Sequence, residues 1–126
     1  MDLLEKYKND LEKIYENKYV IAIIIFGSYI ENNIKPLSDL DICIINKYKT
    51  PAKEENKILS FSDEKLDLSL FHELPLSLQF KVMTKGQIWK TKKSLNQLKN
   101  STMNQWIDFK PTLNKIYKKK GLLPII

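Results

Sequence analysis

Apolar positions divide the chain into segments of different period. Leu4, Tyr7, Leu11 and Ile14 recur at helical spacing through residues 2–17, with lysine and glutamate between them, which predicts an amphipathic helix. Val20-Ile21-Ala22-Ile23-Ile24-Ile25-Phe26 is then unbroken apolar sequence, largely β-branched. Such a run reads as a strand buried on both faces, at the centre of a sheet. Gly27-Ser28 ends it. The Ser-x-x-Glu form of Ser28 to Glu31 predicts a capping box and a short turn of helix, stopped by Pro36. From Leu40 to Ile45 the period is two. Asp39, Asp41 and Cys43 fall on one side and Leu40, Ile42 and Ile44 on the other, so this strand has one apolar face and one that carries carboxylates.

Residues 46–57 are polar and compatible with a loop or a short helix. Leu66-Asp67-Leu68-Ser69-Leu70 alternates again and predicts a third strand with Asp67 on its polar face. Pro75 opens a helix carrying Leu76, Leu78, Val82 and Met83, and Gly86 is placed to end it. Residues 94–120 read as helical around Leu95, Leu98, Trp106 and Ile107, with a break at Pro111. The closing Leu122-Leu123-Pro124-Ile125-Ile126 is apolar and assigned to no element. Strands interleaved with helices give an α/β (α+β) class: a mixed sheet with helices packed against it.

Composition narrows this picture. A chain of 126 residues, 43% of them hydrophobic, suits one domain with a real core, so residues 1–126 are read as a single unit. The formal charge is +6 and every basic residue is lysine, with no arginine anywhere. Any phosphate must then be held by lysine point charges, hydroxyls or backbone N–H groups rather than by guanidinium forks. The single cysteine, Cys43, excludes a disulfide framework and a thiolate metal site. No apolar run approaches the ~20 residues of a membrane span, and no basic-then-apolar leader opens the chain, so a cytoplasmic protein is expected.

The chemistry is concentrated in Gly27-Ser28, ten residues further on Asp39-Leu40-Asp41, and Asp67 on a later strand. Asp39 and Asp41 are two apart on a strand, so both carboxylates project to one side. Two like charges ~5.5 Å apart repel by about 3 kcal/mol at an effective dielectric near 20. A compensating cation is called for, and Mg²⁺ is the natural one, since it takes one or two carboxylates and completes its octahedron with phosphate oxygens and water. With Asp67 as a third carboxylate, two metal ions can be supported, steadying both the attacking and the leaving oxygen of an in-line displacement. Asp67 would also help deprotonate an incoming hydroxyl. Gly27 lets the backbone approach a phosphate, and Ser28 stands where free helix N–H groups and its own hydroxyl can bind one.

In these residues the sequence resembles the DNA polymerase β-like nucleotidyltransferase superfamily, specifically its minimal nucleotidyltransferases. Their pattern is Gly-Ser, ten residues, Ser-Asp-x-Asp and a third aspartate on a later strand. Gly27, Ser28, Ser38, Asp39, Asp41 and Asp67 occupy those places. The core motif region is residues 19–89, followed by a C-terminal helical region, 90–126. The resemblance implies a nucleotidyltransferase fold, ATP as nucleotide donor, two Mg²⁺ ions held by Asp39, Asp41 and Asp67, and transfer of AMP with release of pyrophosphate. It implies also a HEPN-domain toxin as partner, AMP being attached to a toxin tyrosine in an antitoxin role, within a hetero-oligomer or homodimer. Family members often continue Gly-Ser-x-Ala-Arg-Gly; here Glu31 and Asn32 hold the last two positions, and Lys35 is the candidate compensating cation beside the nucleotide.

Two rivals stand beside this reading. One is a nucleotidyltransferase whose acceptor is a small molecule or an RNA 3′ end. The other is a binding-only antitoxin. His72, the one histidine, has no histidine or cysteine partner for a transition metal and reads as structural or surface. Cys43 reads as a small buried hydrophobe and Trp89 and Trp106 as core. The lysine clusters 90–93 and 118–120 read as solvated faces, with steering of an anionic partner as the lesser alternative. The apolar tail from Leu122 either folds back or meets a partner chain.

Overall fold

The computed structural model describes residues 2–27 and 39–119. The order of elements is α1 (Leu3–Glu16), β1 (Val20–Phe26), β2 (Leu40–Asn46), α2 (Ala52–Leu59), β3 (Leu66–Leu70), α3 (Leu76–Lys85), β4 (Gln87–Thr91) and α4 (Asn96–Lys119), with a 3₁₀ turn at Phe71–Glu73. The strands form one mixed sheet in the order β3-β2-β1-β4. β1 runs antiparallel to both β2 and β4, and β2 runs parallel to β3. A parallel pair needs a crossover, and α2 lies within it. The polar stretch after β2 is therefore in part a helix, opened by Pro51 at its N-cap position.

Both faces of the two central strands are covered, which is why β1 has no polar position. On one face Val20, Ile23, Ile25, Leu40, Ile42, Ile44, Leu66, Leu68 and Leu70 pack with Tyr7, Leu11 and Ile14 of α1 and Ile58 of α2. On the other, Ala22, Ile24, Cys43 and Ile45 pack with Phe71 and with Val82 and Met83 of α3. Val20 joins Ile23 and Ile25 on one face despite the odd spacing because the register slips there: Val20 pairs with Asn46 and Ala22 with Ile45, leaving Ile21 as an extra residue. Each buried isoleucine adds about 1.5–3 kcal/mol of burial free energy.

Gly86 ends α3, as its position predicts, and its N–H donates to the Val82 carbonyl at 3.0 Å. A Cβ there would stand 2.6 Å from Ile24 Cγ2, so the glycine sets how closely α3's end approaches the central strand.

Two features depart from expectation. β4 was not legible: Ile88 and Trp89 are its only large apolar residues, and it is a strand through pairing with β1 rather than through a pattern of its own. α4 continues through Pro111 instead of breaking there. Ile107, whose carbonyl loses its N–H partner to the proline, is 60% exposed, so water can satisfy the vacated acceptor. Trp106 is buried, stacked on Phe80 with ring centroids 5.6 Å apart, and Trp89 packs partly buried against the core, as expected of both. No helix among the described residues is long and apolar enough to cross a membrane.

Candidate active site

Strand register gathers the described residues of the motif at one end of the sheet. Phe26, the last residue of β1, stands opposite Asp41, and Asp41 stands beside Asp67 on the parallel neighbour β3. Gly27 follows directly with φ 79°, in the left-handed region. A Cβ on Gly27 would fall inside the contact radius of Asp41 Oδ2. The glycine is therefore required twice, by its backbone conformation and by the carboxylate lying against it. Asp39 lies one residue before β2 and is exposed, whereas Asp41 is half-buried within the strand.

The electrostatic burden falls on Asp41. Its pKa is raised from 3.8 to about 6, first by burial, then by the charges of Asp67 and Asp39, and last by a hydrogen bond shared with Asp67. Carboxylates brought this near one another hold protons or cations more readily than separate ones do. Asp39, Asp41 and Asp67 offer hard carboxylate oxygens at one end of the sheet, but no set of one oxygen from each lies mutually within 4.8 Å, and the space beside Gly27 is taken by the Asp41 carboxylate. Carboxylate oxygens are the ligand type that Mg²⁺ takes, and Asp39, Asp41 and Asp67 would hold it once their side chains draw together.

Sequence reasoning missed Lys65. Its Nζ lies 3.9 Å from Asp39 Oδ1, and its carbonyl accepts the Leu40 N–H at 2.8 Å. The signal was its place two residues before Asp67, which only the β2–β3 register makes meaningful. Ser28, Glu31, Lys35, Ser38, the predicted capping box and the tail from Leu122 lie outside the described residues.

A second group of side chains lies at the opposite end of the sheet. Glu55 of α2 meets His72 and Glu73 of the 3₁₀ turn, one ligand atom of each lying within 4.8 Å of the others. His72 Nε2 is 2.6 Å from Glu55 Oε2, and Asn46 Nδ2 donates to the same oxygen at 2.9 Å. Glu55 is held below the ordinary range, hydrogen bonds from Asn46 and His72 and the His72 charge outweighing a desolvation that acts the other way. His72 thus has a carboxylate partner and ties α2 to the turn after β3, a structural role. A cleft of about 460 Å³ nearby is lined by Ile45, Asn46, His72, Leu95 and Leu98 among others, and includes none of the three aspartates. Cys43 is buried and its thiol is pushed up to about 12 by burial, which makes it inert. Lys90 and Lys92 are more than solvated charges: Lys90 Nζ reaches Glu12 at 2.8 Å, and Lys92 Nζ donates to the Asn17 carbonyl at the C-terminus of α1 at 3.0 Å.

The sequence profile of the polymerase beta nucleotidyltransferase domain matches residues 9–94, which is more than half of the chain and holds Gly27, Asp39, Asp41 and Asp67. The chain belongs to the polymerase beta nucleotidyltransferase family. It is 30% identical over 69 residues to a protein of Methanocaldococcus jannaschii provisionally named a protein adenylyltransferase, an alignment covering 55% of this chain and 54% of that one. A second protein of the same organism and provisional name is 29% identical over 62 residues, covering 49% of this chain and 62% of its own. The chain thus spans little more than half the length of the curated relatives it matches.

Among solved structures, a chain of a toxin–antitoxin complex with AMP-PNP superposes with a TM-score of 0.69 at 20% identity, covering 89% of this chain and 96% of the other. A chain of the complex between tri-AMPylated Shewanella oneidensis HEPN toxin and MNT antitoxin gives 0.65 at 20%, covering 91% and 96%. At such identities the likeness is one of fold. It bears out the mixed-sheet nucleotidyltransferase fold expected from the motif.

Proposed function

We propose that this nucleotidyltransferase moves AMP from ATP onto a hydroxyl, with Mg²⁺, and that the acceptor is a tyrosine of a HEPN-domain toxin, which the modification silences. The observation that carries the reading is the convergence of Gly27, Asp39, Asp41 and Asp67 at one end of the sheet, in a chain of this family. Residues 1–126 act as one domain, in the cytoplasm, bound to the toxin.

In the proposed reaction the acceptor oxygen attacks the α-phosphorus, the bond from that phosphorus to the bridging oxygen breaks, and pyrophosphate leaves. Asp67 accepts the hydroxyl proton as attack proceeds. Asp39, Asp41 and Asp67 would hold two Mg²⁺ ions, which would supply charge neutralisation to the phosphate oxygens. Gly27 lets the triphosphate lie close to the backbone, and Ser28 and Lys35 bind its oxygens. A protein partner is supported by the apolar surface of α4, where Ile107 and Phe109 are 60% and 41% exposed.

The test uses the full chain with the protein encoded beside it, Mg²⁺, and ATP labelled at the α-phosphate. Label on a tyrosine of the neighbour, absent with an Asp39→Asn/Asp41→Asn double variant, is the expected result. Co-purification without labelling would favour an antitoxin that works by binding alone. Labelling of an RNA or a small molecule in place of the neighbour would move the acceptor to another class.

A further inference from the structure

Lys65 is held in an unusual way for a surface lysine. The Asp63 N–H donates to the Leu66 carbonyl at 3.0 Å and the Leu66 N–H returns to the Asp63 carbonyl at 3.1 Å, closing a tight turn around Glu64 and Lys65. From α1, the buried Tyr7 hydroxyl donates to Asp63 Oδ2 at 3.1 Å, fixing the turn to the core. The Lys65 carbonyl accepts the N–H of Leu40, the residue between Asp39 and Asp41. Lys65 thus sits in a turn closed on both sides of it, and its own carbonyl ties it to Leu40. The Lys65 side chain is 27% exposed and that of its partner Asp39 48%, with 3.9 Å between ammonium and carboxylate. A fixed base and a flexible four-carbon stem let an ammonium change partners over a few ångströms.

A cation is needed there in two different states. Without metal, three carboxylates share one end of the sheet, Asp41 standing beside Asp67 on the parallel strand, and like charges so placed repel. With Mg²⁺ and nucleotide present, the carboxylates are neutralised and the excess negative charge lies on the triphosphate. The chain has no arginine to meet it. A lysine ammonium, with three rotatable donors, can bond a carboxylate in the first state and a phosphate oxygen in the second.

We infer that Lys65 is an exchangeable cation of this site: it neutralises Asp39 in the free protein, yields that carboxylate to the metal, and turns to the polyphosphate of the bound nucleotide. The inference rests on the nucleotidyltransferase reading above and adds to it a residue that both metal and nucleotide must engage. It requires opposite effects on two ligands when the charge is removed.

The experiment compares the full-length wild type with Lys65→Gln and Lys65→Arg. Two binding constants are measured, for Mn²⁺ alone, and for α,β-methylene-ATP in the presence of Mg²⁺, whose α–β linkage cannot be cleaved. In Lys65→Gln, Mn²⁺ alone should bind ~2- to 5-fold tighter, because an exposed competing ion pair is gone. The nucleotide analogue should bind ~10- to 100-fold weaker, as expected for a lost charge-assisted hydrogen bond. Lys65→Arg, which keeps the charge, should restore most of the nucleotide affinity. Both ligands weakening together with a lowered melting temperature would mean that Lys65 only holds the turn, and would overturn the inference. So would unchanged nucleotide affinity in Lys65→Gln. Failure of the wild type itself to bind the analogue would instead sink the nucleotidyltransferase reading, and this inference with it.

Discussion

At Gly27 a methyl group would meet two obstacles at once, a backbone at φ 79° and the Asp41 carboxylate. Gly27→Ala should therefore cost about 1–3 kcal/mol of stability, readable by urea unfolding. It should also weaken binding of Mg²⁺–ATP, because the carboxylate must move to make room. Asp41 gives a prediction with a definite sign. Its folded pKa of about 6 lies above the unfolded value of 3.8, so the folded state binds the proton more tightly. The metal-free protein is favoured by this group below pH ~4 and loses that stability as pH rises through about 6. Half-exposure screens the effect, leaving on the order of 1 kcal/mol. Asp41→Asn should match the wild type in unfolding at pH 4 and exceed it at pH 7, while transferring no AMP. Mg²⁺ should narrow the difference at pH 7 by neutralising the wild-type carboxylates. The three aspartates were legible in the sequence because carboxylates stand out against β-branched apolar strands. Lys65 was not, since one lysine among so many gains meaning only when β2 and β3 are in register.

The strands and helices separate by what holds them. β1, β2 and β3 are buried and patterned, and each was read with nearly its observed bounds. Ile42, fully buried between the sheet and the helices α1 and α2, should lose about 2–5 kcal/mol on truncation to alanine. Ile88 on β4, 51% exposed, should lose no more than about 0.5 kcal/mol in the same unfolding measurement. The contrast has the same origin as the failure to read β4. An edge strand with little to bury leaves little pattern, and its existence depends on a partner distant in sequence. Pro111 misled for the converse reason. A rule about helix interiors presumes that the orphaned carbonyl is hidden, and on α4 that surface faces water. Pro111→Ala should slow amide exchange along α4 around the substitution, since it restores one backbone hydrogen bond.

For the whole molecule, the sheet has two chemically different ends. One gathers Gly27, Asp39, Asp41, Asp67 and Lys65; the other gathers Asn46, Glu55, His72 and Glu73 beside the 460 Å³ cleft. The sequence singled out Gly27 and the three aspartates of the first group through the motif and its family resemblance, and Lys65 joined them only with the β2–β3 register. The sequence could not place the second group, because Glu55, His72 and Glu73 come together only through the α2 crossover. Both ends carry carboxylates, and the proposed function assigns nucleotide and metal to the first. The most direct measurement substitutes Mn²⁺ for Mg²⁺ in the presence of α,β-methylene-ATP and records paramagnetic broadening of backbone amides by NMR. Broadening centred on Phe26, Gly27, Leu40, Asp41 and Asp67, and abolished in Asp39→Asn/Asp41→Asn, is the predicted result. Broadening centred instead on Asn46, Glu55, His72 and Glu73, and retained in that double variant, would contradict the assignment of the active site.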